Sequence, residues 1–220
     1  MILIAPQSAE HLYWMGRYIQ RAESMTRLII ELFDKILDEN FDEAKTFYEK
    51  LGIEMSYDSA QMFLRKTVFD LEYASLCDTV NSARENAILT RSHLSNRMFS
   101  RINALYLAYQ KAKEERTVSL YWLEGTLKEL DSIWGNFELS LVEAKEAPLI
   151  QLGKVVERMD LNIRLYDSIE AALLDVEKLN SIAEKVRPNH KRVALSSSNR
   201  YKTLQTINSV FGALTTTHES

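Results

Sequence analysis

The first forty residues carry an amphipathic pattern in which apolar side chains recur at alternating steps of three and four. Ser8 is suited to cap the start of a helix, because its hydroxyl can accept a hydrogen bond from a backbone N–H of the first turn. Thr26 is the one polar member of the stripe, which consists of Leu12, Met15, Ile19, Ala22, Thr26, Ile29, Phe33 and Ile36. Such steps keep side chains on one helical face. The pattern therefore predicts a long helix over about residues 8–38.

Helical spacing continues through the rest of the chain. Further helices are predicted over about 41–51, 74–91, 95–116, 118–144 and 148–186, with a weak final helix ending near 214. Gly52 is suited to terminate the first of these, and a break is expected near 69–73. Pro188 disfavours helical geometry at the residue before it. No segment alternates apolar and polar residues with a period of two, so the sequence predicts an all-α fold, an antiparallel helical bundle.

Two regions are expected along the chain. Residues 1–187 form the helical bundle, and residues 188–220 form a C-terminal extension with a weak helix, packed on the same domain. Basic residues gather near the boundary, and a serine run at 196–198 follows it.

The two longest predicted helices, 8–38 and 148–186, resemble each other when Leu12 is placed on Leu149. The alignment superposes Met15 on Leu152, Gly16 on Gly153, Arg17 on Lys154, Gln20 on Glu157, Arg21 on Arg158, Glu23 on Asp160 and Arg27 on Arg164. Apolar matches between amphipathic helices arise easily by chance, whereas these polar matches do not. We therefore predict an internal pseudo-twofold repeat of long helices.

The repeated polar positions form a stripe with two interpretations. In the structural one, Gly16 and Gly153 allow close helix approach, and ion pairs between the two helices fix their register. That interpretation pairs Arg21, Glu23, Arg158 and Asp160 with one another. In the functional one, the stripe lines a pocket whose arginines bind a carboxylate or phosphate. The candidate binding residues are Arg17, Arg21, Glu23, Arg27, Glu157, Arg158, Asp160 and Arg164.

A second polar cluster lies between the two repeats, at Arg84, Glu85, Asn86, Arg91 and Asn103. Asn is unfavourable inside a helix, because its side chain competes for backbone hydrogen bonds. The cluster is therefore either a charge-dense surface turn or a further part of a binding site.

Three sequence blocks in this order and spacing together resemble the bacterial alpha-E domain family. They are residues 12–23 (LYWMGRYIQRAE), residues 83–87 (ARENA) with Asn103 and 105–106, and residues 152–158 (LGKVVER) with Asp160 and Arg164. The resemblance covers about residues 8–175, which leads us to expect a C-terminal portion that is missing or reduced.

The chain departs from the family pattern at three positions. Gln20 stands where the family usually has Glu, Lys154 where it has Arg, and Met159 where it has Ala. Only the second copy therefore keeps the full Glu-Arg pair.

The resemblance implies a helical protein without an established activity. It also implies a protein partner, because such domains typically accompany or are fused to ATP-grasp proteins and transglutaminase-like peptidases.

Composition and charge narrow the class further. Six glycines and three prolines in 220 residues argue against a turn-rich β fold. The formal net charge of −4 argues against a general nucleic-acid binder. No apolar stretch reaches the roughly 18 residues of a membrane span, and the single cysteine cannot form an intramolecular disulfide. We expect a bacterial protein of the cytoplasm.

The chemistry of known enzyme sites is not evident in the sequence. No glutamate has a histidine three positions later, the glycines are isolated, and Cys77 is expected to be a small core residue. We therefore predict no metal and no cofactor. The leading hypothesis is a non-catalytic helical accessory protein that binds an ATP-grasp amide ligase, a transglutaminase-like peptidase or their peptide product.

Two other functions remain open. The first is an enzyme that uses Glu85, Glu157 or Asp160 as a general base beside anion-binding arginines. The second is a structural coiled-coil assembly module, and a homo-oligomer is compatible with each hypothesis. An open cavity lined by acids and arginines would favour a binding protein or an enzyme. A dry, fully paired network would favour the structural module.

Overall fold

The computed structural model describes residues 4–38, 40–72, 74–140, 146–195 and 199–215. These residues form helices joined by short loops and contain no strand, which confirms the all-α class. The helices in this part of the chain are α1 (Pro6–Leu37), α2 (Phe41–Lys50), α3 (Ala60–Arg65), α4 (Leu76–Leu89), α5 (Asn96–Glu115), α6 (Leu120–Ser140), α7 (Ala147–Tyr166), α8 (Ile169–Leu174), α9 (Val176–Val186) and α10 (Arg200–Thr215).

Helix α1 is the centre of the bundle. It packs against α7, α4 and α6 and contacts the shorter α2 and α3. Its apolar stripe is buried except for Phe33, which is partly buried, and Leu12 and Met15 are fully inaccessible. Thr26 is buried as well, and its hydroxyl donates to the Ala22 carbonyl at 2.7 Å, so the polar atom is satisfied within the helix. The helix begins at Pro6 rather than after Ser8, because the first turn does not need the N–H that proline lacks.

The single long helix predicted over 148–186 is wrong, because the structure has three helices there. Helix α7 ends where Asp167 adopts a left-handed backbone conformation, with φ of 52°. Ser168 then caps α8, since its hydroxyl accepts a hydrogen bond from the Ala171 N–H at 3.1 Å. Helix α9 follows directly and ends at Val186, as the position of Pro188 predicted.

Other predicted boundaries agree with the structure where it describes them. Gly52 has a positive φ of 77° after α2, as expected of a residue that ends a helix. The break near 69–73 is present, since a π-helical turn at Lys66–Asp70 and a loop separate α3 from α4. Residues 141–145 and the serine run at 196–198 lie outside the described residues.

Helix α10 returns to the bundle and packs against α7. The ring of Phe211 stacks on the ring of Tyr13 of α1, with centroids 4.3 Å apart. This contact brings the polar face of α10 beside the crossing of α1 and α7. In the ranges that the structure describes, no helix combines the length and apolar character needed to cross a bilayer.

Candidate functional site

Helices α1 and α7 cross with their backbones in direct contact at two glycines. A Cβ atom added to Gly16 would overlap the carbonyl oxygen of Ile150, and one added to Gly153 would overlap the carbonyl oxygen of Tyr13. The contact is reciprocal, since each glycine touches the residue three positions before the other. This is the close approach that the structural interpretation assigned to the two glycines.

Glu157 lies one turn after Gly153 and is completely buried. Its two carboxylate oxygens accept hydrogen bonds from Arg17 Nε at 2.6 Å and from Arg21 Nε at 2.5 Å. Arg17 is buried as well, whereas the side chain of Arg21 is 38% exposed. Burial acts to lower the pKa of Arg17, but Glu157, Tyr13 and Asp160 together outweigh this effect and the pKa is raised. Arg17 therefore stays protonated inside the bundle.

Asn208 of α10 extends the network to a second ion pair. Its Oδ1 accepts a hydrogen bond from Arg17 Nη1 at 2.8 Å, and its Nδ2 donates to Asp160 Oδ1 at 2.6 Å. Asp160 also accepts from Arg164 at both oxygens, with Nε–Oδ2 at 2.6 Å and Nη2–Oδ1 at 3.3 Å. Asn208 therefore connects the Arg17–Glu157 pair to the Arg164–Asp160 pair.

An open cleft of about 370 Å³ lies beside this network. This volume falls within the range of about 300–1,000 Å³ that is typical of small-ligand sites. The polar lining consists of Arg17, Arg21, Glu72, Thr79, Asp160, Arg164 and Asn208. The apolar lining consists of Met25, Tyr48, Leu51, Ile53, Ala74 and Leu161. The cleft thus combines charged groups of both signs with an apolar wall.

Arg21 and Arg164 keep hydrogen-bonding capacity on the cleft side of the network. Each is anchored through Nε by a buried carboxylate, and the side chain of Arg164 is 41% exposed. Both Nη nitrogens of Arg21 and Nη1 of Arg164 make no hydrogen bond with any residue that the structure describes. Within the same ranges, the exposed carboxylate of Glu72 also has no partner. These groups are available to a ligand.

Glu23 and Arg27 do not join this site. They pair with each other at 3.1 Å, as their spacing predicted, and Arg27 also contacts Asp131 of α6 at 2.6 Å. Arg27 is about half exposed. Arg27 therefore links the exposed face of α1 to α6.

Arg158 also points away from the site, and it binds Asp175 with Nε–Oδ2 at 2.7 Å and Nη2–Oδ1 at 2.5 Å. The predicted network among Arg21, Glu23, Arg158 and Asp160 is therefore wrong. The physical reason is Glu157, a fully buried acid at the crossing whose two oxygens accept hydrogen bonds from Arg17 and Arg21.

The cluster between the repeats forms a separate arrangement on α4 and α5. Arg84 Nε donates to Asn103 Oδ1 at 3.0 Å, and its guanidinium lies 4.4 Å from the Tyr106 ring centroid. Glu85 pairs with Arg84 at 3.0 Å. None of these residues lines the cleft.

The other two members of that cluster have local partners. Asn86 Oδ1 lies 2.9 Å from His11 Nδ1, and Asn86 Nδ2 donates to the Ser82 carbonyl at 2.8 Å. Arg91 donates to the Leu94 carbonyl at 3.0 Å and contacts Asn96. These bonds join α4 to α1 and hold the turn between α4 and α5, so the cluster is structural in this arrangement.

Sequence reasoning missed Asn208 and Glu72. Asn208 lies inside a helix, where Asn is unfavourable, and the rule that singled out Asn86 would have marked it too. Glu72 lies in the loop between the π-helical turn and α4, and its sequence neighbourhood carries no signal of this position.

The cysteine of the chain is not a candidate nucleophile. Cys77 is buried on α4, and burial raises its pKa to about 12. The thiolate that nucleophilic attack requires is therefore scarce at neutral pH. Among the described residues, no group of three or more side chains is placed to hold a metal ion.

The fold and the site define an all-α protein built around a buried arginine–glutamate crossing. A family model, described as a predicted alpha-helical domain with a conserved ER motif, matches residues 4–207. The chain belongs to this family, alpha-E. The match extends through the first half of α10, so the expectation that the resemblance stops near 175 is wrong. No curated protein and no solved structure matches the chain.

The Glu-Arg dipeptide occurs twice in the chain, at 115–116 and 157–158. Arg116 is half exposed at the end of α5 and pairs with Asp70 at 2.8 Å. In the second dipeptide, Glu157 pairs with Arg17 and Arg21 of α1, and Arg158 binds Asp175 near the start of α9. Neighbouring residues thus point to opposite sides of α7 and tie that helix to α1 and α9.

Proposed function

We propose that this chain is a binding protein whose arginine-lined cleft holds the carboxylate of a peptide segment, such as the C-terminal tail of a partner protein. One observation carries the proposal: Arg21 and Arg164 line an open cleft and are fixed through Nε by buried acids, while both Nη nitrogens of Arg21 and Nη1 of Arg164 have no hydrogen-bond partner among the described residues. A guanidinium matches a planar carboxylate with two parallel hydrogen bonds. Because the anchors already restrict both side chains, binding costs little further side-chain entropy.

The apolar wall of the cleft supports a peptide rather than a small inorganic anion. Met25, Ile53 and Leu161 line the same cavity as the two arginines. A side chain next to the bound carboxylate gains free energy by burying apolar surface against them. The partner that we propose is an ATP-grasp amide ligase or a transglutaminase-like peptidase of the bacterial cytoplasm, as the family resemblance implies.

The catalytic alternative receives less support from this geometry. Glu85 does not line the cleft, and Glu157 is fully buried with each oxygen already bound to an arginine. A general base needs a path to the proton that it removes. The assembly-module alternative predicts a dry, fully paired network, which describes the Glu157 end of the site but not the exposed ends of Arg21 and Arg164.

Removing the two exposed arginines is expected to weaken carboxylate binding by about tenfold or more, since hydrogen bonds to charged groups contribute about 1.5–3 kcal/mol. The variant is Arg21→Gln with Arg164→Gln, in which Arg17 still neutralises Glu157. The probe is acetyl-Leu-Leu with a free carboxylate. Titration calorimetry measures its affinity for the unchanged protein and for each variant, and the NMR signals of the arginine Nε–Hε groups locate the binding site in the unchanged protein. In the unchanged protein, the Arg21 and Arg164 signals are expected to shift on titration.

Two controls make this test specific. The peptide with an amidated C-terminus should produce no shift, and Arg116→Gln with Arg192→Gln, which removes two exposed arginines outside the cleft, should bind like the unchanged protein. Equal shifts with the amidated peptide would contradict the proposal.

The partner is tested by mass spectrometry of proteins that copurify from the native host. An ATP-grasp or transglutaminase-like protein should be recovered with the unchanged chain and lost with the cleft variant.

A further inference from the structure

A second, smaller cavity of about 200 Å³ lies where α6, α7 and α9 meet. Its lining consists of Trp134, Phe137, Gln151, Lys154, Val155, Lys178, Ser181, Ile182 and Lys185. The cavity shares no lining residue with the arginine-lined cleft. It is therefore a separate site, and none of the candidate binding residues named from the sequence lines it.

The charge of this cavity is of one sign. Three lysines line it, and no carboxylate of a described residue does. Lys178 and Lys185 fall on one face of α9, two turns apart, and neither makes an ion pair or hydrogen bond with the described residues. In a chain with a net charge of −4, this is a local concentration of positive charge.

The acids of α9 do not neutralise Lys178 and Lys185. Glu177 pairs with Arg192 at 2.6 Å, and Glu184 lies 3.3 Å from His190. Asp175, just before α9, is held by Arg158. Each of these three acids therefore has a partner outside the cavity.

Trp134 independently indicates that the cavity binds a hydrogen-bond acceptor. Its side chain is buried, with 5% of the residue exposed, and its indole Nε1 has no hydrogen-bond partner among the described residues. An indole N–H can only donate, so it needs an acceptor. The ammonium of Lys154 lies 4.1 Å from the Trp134 ring centroid, which places a positive charge against the same side chain.

We propose that this cavity binds a phosphate or pyrophosphate group. Lysine ammonium groups bind phosphate as compact point charges, whereas planar carboxylates are matched best by an arginine fork, which this cavity lacks. Phosphate oxygens accept hydrogen bonds from several directions, and the Trp134 N–H requires one such acceptor. The cavity is smaller than typical sites for drug-sized ligands, so it accommodates the phosphate group itself, either free or at the end of a larger molecule.

The test is titration calorimetry at about 0.15 M ionic strength, where distant exposed charges are screened, in a buffer without phosphate and with inorganic phosphate, pyrophosphate and ATP as separate probes. The variant Lys178→Gln with Lys185→Gln should weaken binding about tenfold or more, and Trp134→Phe should weaken it severalfold. The matched control is Lys191→Gln with Lys202→Gln, which removes the same charge from exposed lysines outside the cavity. The control should bind within about twofold of the unchanged protein, as expected for distant exposed charges in salt.

The remaining outcomes each decide the proposal. Pyrophosphate binding without ATP binding identifies the free anion as the ligand, and tighter ATP binding identifies a phosphate ester. Equal weakening by both lysine variants means diffuse electrostatic attraction and overturns the site. Absence of binding by all three probes overturns it as well. The cleft variant Arg21→Gln with Arg164→Gln should leave pyrophosphate binding unchanged, so the two proposals fail independently.

Discussion

Replacing Glu157 with Gln is expected to destabilise the protein by about 3–5 kcal/mol, because breaking a buried ion pair leaves an uncompensated charge. Glu157 is completely inaccessible and neutralises Arg17, whose side chain is 7% exposed. Glutamine fills nearly the same volume as glutamate. The loss of stability therefore reflects the removed charge rather than a change in packing. The substitution also removes the anchor of Arg21. The measurement is urea denaturation at neutral pH, which gives the free energy of unfolding.

The matched control for this substitution is Glu23→Gln. Glu23 also pairs with an arginine on α1, but the partner, Arg27, is about half exposed and has a second acid beside it. Ion pairs of this kind contribute about 0–1 kcal/mol, so the control should remain within that range. A similar loss for both substitutions would contradict the assignment of Glu157 as the central charge of the bundle.

The α-helical class and the buried face of α1 were accessible from the sequence, because both depend on local periodicity. The apolar stripe of α1 needs only the geometry of one helix to be recognised. The break at Asp167 was not recognised, because the apolar spacing continues through it. The ending of α7 depends on the left-handed conformation of one residue and on the cap at Ser168. Each of these signals involves only one or two residues. An apolar periodicity that is followed over several turns does not reveal them.

The sequence indicated which residues come together at the candidate site, but it did not indicate which of them pair. Arg17, Arg21, Glu157, Asp160 and Arg164 do come together, as the polar stripe indicated. Their pairing could not be read from spacing, because a long arginine side chain reaches across more than one turn of the facing helix. The choice among acids then depends on which one is most buried.

The link through Asn208 illustrates a different limit. It lies 48 residues from Asp160 along the chain and reaches it only because α10 returns to α7. Nothing in the local sequence of α10 encodes that return. The packing of Phe211 on Tyr13 positions the helix, and the polar contact follows from it.

Gly153→Ala is expected to destabilise the protein by about 2–3 kcal/mol, towards the upper end of the typical cost of an overpacked core. The added methyl group would overlap the Tyr13 carbonyl oxygen and approach the Arg17 backbone N to 2.9 Å. These atoms are backbone and cannot move aside as a flexible side chain would, so α1 and α7 must separate. That separation would also lengthen the contacts of Glu157 with both arginines, and the substitution should weaken peptide binding in the cleft. Thermal and urea unfolding, together with the arginine NMR signals, measure both effects.

The control is Gly135→Ala on α6, where no atom lies within 4 Å of the position of an added Cβ. Alanine forms helices more readily than glycine by about 1 kcal/mol, so this substitution should stabilise the protein by up to that amount. Alanine also has the higher helix propensity at position 153, and the loss of about 2–3 kcal/mol expected there already includes this stabilising contribution. The two glycine substitutions should therefore shift the unfolding free energy in opposite directions. Stabilisation at both positions would mean that α1 and α7 do not cross in backbone contact, and the placement of Glu157 between its two arginines would need another explanation.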